Sequence, residues 1–122
     1  MKADKLDMIF EMQASLDDEI VRLRNLAGIS KSEWIQKGVL ATISELSEVL
    51  DEVNFKWWKN ANPIDDDKLK DELVDVLHFF TGMCIRAGMD GNELFSRYAE
   101  KNRENFDRQY GKSEKPGYKT EA

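Results

Sequence analysis

The sequence predicts an all-α fold, a four-helix bundle, on three observations. Four stretches carry apolar residues at three-four spacing, the period of a helix with one buried face. Three of the four open on a serine or aspartate able to cap a helix. The makeup, 41% apolar and 34% charged with two prolines, is that of a helical, soluble chain. The 122 residues are expected to form a single domain over 1–122, with 111–122 as a mobile tail.

The first helix is expected from about Asp4 to Leu26. Its stripe runs Leu6, Ile9, Gln13, Leu16, Ile20, Leu23, and Gln13 is the polar residue on it. Asp17 follows one turn later on the same side, which favours a pocket wall over a hydrogen-bonded core glutamine. A turn around Gly28 leads to Ser30 and Glu33, a capping box that opens the second helix. That helix has the core stripe Ile35, Val39, Ile43, Leu46, Leu50, Val53. At 100° per residue, Glu45 and Glu48 fall on one flank of the stripe with Gly38, Ala41 and Glu52, where small residues let another helix approach. The helix is expected to run into FKWWK, where Phe55, Trp57 and Trp58 interleave with Lys56 and Lys59. Aromatic faces beside lysines suit a base and its phosphates; a hydrophobic helix end with snorkelling lysines is the plainer alternative.

Asn60 to Ile64 reads as a loop marked by Pro63, after which Asp65 or Asp66 caps the third helix. Its stripe is Leu69, Leu73, Val76, Phe80, Met83, Ala87, while Val74, Phe79 and Ile85 point elsewhere, so the helix is expected to be surrounded by protein. The lone histidine, His78, lies three residues past Asp75, and the lone cysteine, Cys84, sits among apolar residues as a core thiol. Gly88 ends this helix, and Asp90 with Glu93 caps the fourth. There the stripe begins with Leu94 and Tyr98 and continues as Lys101, Asn105 and Arg108, a polar face suited to something anionic. The segment from Gly111 is too polar to fold alone.

Four carboxylates carry the chemistry. Glu45 and Glu48, and then Glu72 and Asp75, are pairs at i, i+3, each on one face of a helix. Four such charges around one small volume raise one another's pKa unless cations offset them. The economical cation is a hard divalent metal such as Mg²⁺, which takes oxygen ligands and is commonly shared with phosphates. A solvated acidic face is the alternative for either pair alone. Glu45 to Asp75 holds ten acids and four lysines, whereas Lys101 to the end holds six basic and four acidic residues. With a net charge of −6, the chain is not expected to bind nucleic-acid polymers; a small anion bridged by metal on one side and cations on the other fits. No apolar run approaches a membrane span and no signal-peptide pattern opens the chain, so a cytoplasmic protein without a membrane partner is expected.

ExxE, followed after 23 residues by ExxD, resembles the all-α NTP pyrophosphatase superfamily that includes MazG proteins and dimeric dUTPases. The FKWWK, the LHF after the second acidic pair, the MQxxLD of the first helix and the final KNxxNxxRQxxG resemble the dimeric dUTPase branch; Asp17 stands where many members have asparagine. The resemblance implies a MazG/dimeric-dUTPase-like bundle with Mg²⁺ held by Glu45, Glu48, Glu72 and Asp75. Glu48 would also activate water. Gln13, Asp17, Trp58 and His78 would line the base and sugar pocket, with Lys56 beside them in the aromatic-lysine cluster. Lys59, Lys101, Asn105 and Arg108 would hold phosphate or sugar. The expected activity is hydrolysis of a deoxynucleoside triphosphate, dUTP foremost, to the monophosphate and pyrophosphate by a homodimer or a dimer of dimers. A broader MazG-like pyrophosphatase acting on dCTP or modified nucleotides is the nearest alternative. A di-iron bundle needs Glu-x-x-His pairs that one histidine cannot supply, and a non-enzymatic helical docking module would leave the acids on the surface.

Overall fold

A computed structural model describes residues 4–118. It contains four helices, α1 (Lys5–Arg24), α2 (Lys31–Glu52), α3 (Asp66–Arg86) and α4 (Gly91–Gln109), and no strand among the described residues. The chain divides into two compact units, Met1–Gly88 with α1 to α3 and Met89–Ala122 with α4. None of these helices is long and apolar enough to cross a membrane.

The helix starts follow the local signals. Ser30, Asp65 and Asp90 each accept a hydrogen bond from the backbone N–H three residues on, at 3.1, 3.1 and 2.8 Å, satisfying an otherwise orphan donor of the first turn. Asp4 does the same for α1, and Asp7 reaches back to close a full capping box. Gly88, at φ +91°, follows the α3 C-cap Ala87.

α2 ends earlier than expected. It stops at Glu52, and Asn54 takes the left-handed conformation at φ 57°, which turns the chain out of the helix before FKWWK. Asn54 then clasps Asn62 across the connection: its Nδ2 donates to the Asn62 carbonyl at 2.8 Å and its Oδ1 accepts from the Asn62 N–H at 2.9 Å.

Within the first unit α3 is the shared element, packed on α2 and, less extensively, on α1. Gly38 permits the α2 approach, since a Cβ there would lie 2.6 Å from Met83 Cγ. The interior is small and lies where α1 meets α3: Phe10, Gln13 and Asp17 from one helix, Thr81, Gly82 and Cys84 from the other. The expected core thiol is there. The expected core stripes are not fully covered, however. Val39, Ile43, Leu46 and Leu50 of α2 are exposed, no α2 residue is buried, and Leu73, Val74 and Phe80 of α3 are also exposed. Each helix of the first unit has a neighbour on only part of its apolar surface, so α3 is not surrounded by the other helices of that unit.

The second unit consists of α4 and the segment after it. Arg108 holds it together, donating to Asn105 Oδ1 at 3.2 Å, lying 3.9 Å from the Glu104 carboxylate and 6.0 Å from the centre of the Tyr118 ring. Lys112 N–H returns to the Asp107 carbonyl at 2.8 Å. Of the tail expected over 111–122, residues 119–122 lie outside the described residues.

Candidate active site

The packing of α2 on α3 brings the two acidic pairs together. One carboxylate oxygen each from Glu45, Glu72 and Asp75 lies within 4.8 Å of the others. Glu48 joins them from the exposed side. Its hydrogen bond with Glu72 is the main cause that pushes the Glu72 carboxyl up to about 7, helped by burial and by the charges of Glu48, Asp75 and Glu45. Burial, then the charges of Glu48 and Asp75, pushes Glu45 up as well. Oε2 of Glu45 and Oε2 of Glu72 are both closed off from solvent without a hydrogen-bond partner. An acceptor left unpaired in this way is unfavourable, the more so when it is charged. Lys68, one turn before Glu72, pairs its ammonium with Glu52 at 3.1 Å and makes no ion pair with the cluster acids. The donor set is all carboxylate oxygen, with two oxygens left unpartnered behind the surface, and it fits a hard divalent cation.

A second polar group faces this cluster from α1. Gln13 Nε2 donates to Asp17 Oδ1 at 2.9 Å, and Gln13 Oε1 meets His78 Nδ1 at 2.6 Å. Gln13 is 6% exposed and Asp17 9% exposed. Burial pushes the Asp17 carboxyl up, opposed by the bond from Gln13 and the charges of Arg86 and His78. Its second oxygen, Oδ2, has no partner. It packs against Gly82, where a Cβ would lie 3.0 Å away. The relay thus fits between helices only because α3 has a glycine there.

One cavity of about 480 Å³ joins the two groups, lined by Glu45 and Asp75 of the acidic cluster and by Gln13, Asp17 and His78 of the relay. Its volume lies within the range of roughly 300–1,000 Å³ usual for small-molecule sites. Apolar walls come from Leu16, Ile20, Ile29 and Phe79, and an aromatic face from Trp34. Arg86 stacks on Trp34, its Cζ 4.1 Å from the ring centre, and Lys37 adds a cation to the lining.

The aromatic-lysine cluster lies elsewhere. Trp57 and Trp58 are 84% and 61% exposed and meet edge to face at 4.8 Å, while Lys56 and Lys59 line a separate depression of about 180 Å³ with Asn54 and Asn62. Trp58, Lys56 and Lys59 therefore do not line the cavity they were expected to serve. The aromatic and cationic residues that do, Trp34 and Lys37, come from the start of α2. A signal for Trp34 existed, because Trp34, Gly38, Ala41 and Glu45 recur at i, i+4, i+7 and i+11 on the flank that carries the acids. Lys101, Asn105 and Arg108 all lie on α4, in the second unit, where Arg108 is engaged as described above.

Against known proteins, the profile of the dUTPase family matches residues 5–90, which include all four acids and the whole relay. The chain belongs to the dUTPase family. Three phage proteins are also similar to this dUTPase-family chain. A dCTP pyrophosphatase of Enterobacteria phage T4 is 32% identical over 87% of the chain and 61% of its own length. A dCTP pyrophosphatase of Enterobacteria phage LZ5 is 35% identical over 70% of the chain and 48% of its length. A DNA replication protein of Enterobacteria phage T4 is 28% identical over 82% of the chain and 25% of its length. The chain therefore spans less than two thirds of each of these relatives. No solved structure matches.

Proposed function

We propose that the cavity is the active site of a Mg²⁺-dependent pyrophosphohydrolase that converts a pyrimidine deoxynucleoside triphosphate, dUTP foremost, to its monophosphate and pyrophosphate. The observation that carries this reading is a single cavity lined both by a charge-frustrated carboxylate cluster and by a polar relay whose Gln13 and Asp17 are buried. Family membership supports the reaction class.

Glu45, Glu48, Glu72 and Asp75 would hold Mg²⁺, which when bound supplies charge neutralisation for phosphates and acidifies a water. Glu48, the most open of the three cluster glutamates, takes the proton of the attacking water. Lys37 offsets charge passing to the leaving pyrophosphate. Trp34 and Phe79 give the base apolar faces, and Gln13 and His78 give its edge hydrogen-bonding groups. The exposed apolar rows of α2 and α3 support a homodimer, in which a second copy covers what one chain leaves open.

The test is turnover of the common ribo- and deoxynucleoside triphosphates by purified protein with Mg²⁺, with products separated by ion exchange. Monophosphate and pyrophosphate from dUTP are expected. Release of single phosphates, or no turnover at all, would refute the reading. A preference for dCTP would establish a second reading, favoured by the two relatives named dCTP pyrophosphatase. Calorimetry with Mg²⁺ and a non-hydrolysable nucleotide separates both from a docking module, which binds neither.

A further inference from the structure

We propose that Asp17 is a positioning residue that fixes the tautomer of His78 through Gln13, so that the cavity wall offers a ring-nitrogen acceptor to an N–H donor of the base. The inference follows from what each group is able to do. An ionised carboxylate only accepts, so the Gln13 atom 2.9 Å from Asp17 Oδ1 must be the donor, Nε2. The amide is planar, so its oxygen then faces the opposite way, 2.6 Å from His78 Nδ1. An amide oxygen also only accepts, and Nδ1 must therefore carry the hydrogen. In a neutral imidazole the other nitrogen, Nε2, is left with the lone pair. His78 lines the cavity, and among the described residues nothing bonds its Nε2.

A carboxylate does here what an amide would not. An asparagine at 17 could present either its oxygen or its nitrogen, so the Gln13 amide could turn over and the histidine could take either form. A carboxylate removes that freedom at the cost of burying a charge. The fold carries that cost rather than relieving it: Asp17 is 9% exposed with Oδ2 unpartnered, in the space that Gly82 leaves for it. A residue kept only for packing would have no need of this arrangement. The final step, donation by the base, rests on the nucleotide reading proposed above; the tautomer itself does not.

His78 is the only histidine of the chain, so two-bond ¹H–¹⁵N correlation spectra of histidine-labelled protein report one ring. Measured without ligand at about pH 8, the wild-type ring should be the Nδ1–H form. Asp17→Asn, isosteric and checked for folding by circular dichroism, should show a mixture with Nε2–H, and Gln13→Met should show predominantly Nε2–H. A wild-type Nε2–H ring, or an unchanged ring in either folded variant, overturns the proposal. Addition of a non-hydrolysable dUTP analogue with Mg²⁺ should then shift the wild-type Nε2 resonance. If the ring has the expected tautomer but Nε2 does not shift, base donation to His78 is overturned and the Asp17 relay stands.

Discussion

Asp17 Oδ2 and Gly82 occupy adjoining space so closely that an alanine Cβ at 82 would lie 3.0 Å from the carboxylate oxygen. On helix propensity alone Gly82→Ala should stabilise α3 by about 1 kcal/mol. Asp17 is tied to Gln13 at 2.9 Å and cannot swing freely, so the new methyl meets a fixed oxygen. Gly82→Ala is expected to destabilise instead, by about 1–3 kcal/mol as other overpacked cores do. Urea unfolding at neutral pH decides the sign.

Metal-free protein should lose stability as the pH rises from about 4.5 through about 7, because folded Glu72 keeps a proton in that window that the unfolded chain has released. The raised carboxyls of Glu45 and Asp17 act in the same direction. Mg²⁺ should abolish or reverse the slope, since it binds the deprotonated cluster. Thermal melts across this range, with and without Mg²⁺ after chelator treatment, measure both. Parallel curves would mean that the cluster holds no cation.

Glu48→Gln should separate activity from stability. A positioned base supplies roughly a hundredfold or more, so turnover should fall by at least that factor. With one charge fewer beside Glu72 and Glu45, the metal-free variant should nevertheless melt higher than wild type above pH 7. Steady-state rates and melts on the same preparation test the pair of outcomes.

Trp34 and Trp58 make opposite claims on the base. Trp34 lines the cavity and Trp58 is 61% exposed outside it. Stacking on an aromatic side chain is worth about 1–3 kcal/mol per base. Trp34→Ala should therefore raise KM by about 5- to 150-fold, and Trp58→Ala should leave it within about twofold. The reverse order would restore the aromatic-lysine cluster as the base site.

Light scattering at micromolar concentration should give at least twice the protomer mass of 14.1 kDa. An aspartate at Ile43, 58% exposed in the single chain, should shift that mass toward the monomer. A 14.1 kDa wild-type species would remove the dimer from the proposed function.

Helix positions were legible because caps and three-four spacing are local signals: Asp65 and Asp90 announce α3 and α4, even though helices of this length draw most of their stability from packing. The acidic pairs were legible for the same reason, since i, i+3 spacing fixes a shared face whatever the helix packs on. Periodicity alone could not say what covers a stripe, and the half-open rows at Val39, Ile43 and Leu50 are the result. The aromatics of FKWWK cluster in sequence, whereas the cavity is lined by residues that cluster in space, and Trp58 is not among them. Trp34 and His78 line it from separate helices. The relay was half visible: Gln13 and Asp17 share a helix face, but the 65-residue step from Gln13 to His78 is tertiary.

The clasp between Asn54 and Asn62 gives the α2–α3 connection the properties of an exchangeable cassette. Two hydrogen bonds, at 2.8 and 2.9 Å, close the loop at its base, so its seven intervening residues can change in length or chemistry while Glu52 and Asp65 stay where they are. Evolution or design can thus rewrite what this edge of the molecule displays to its surroundings, tryptophans included, without renegotiating the acids one turn inside it.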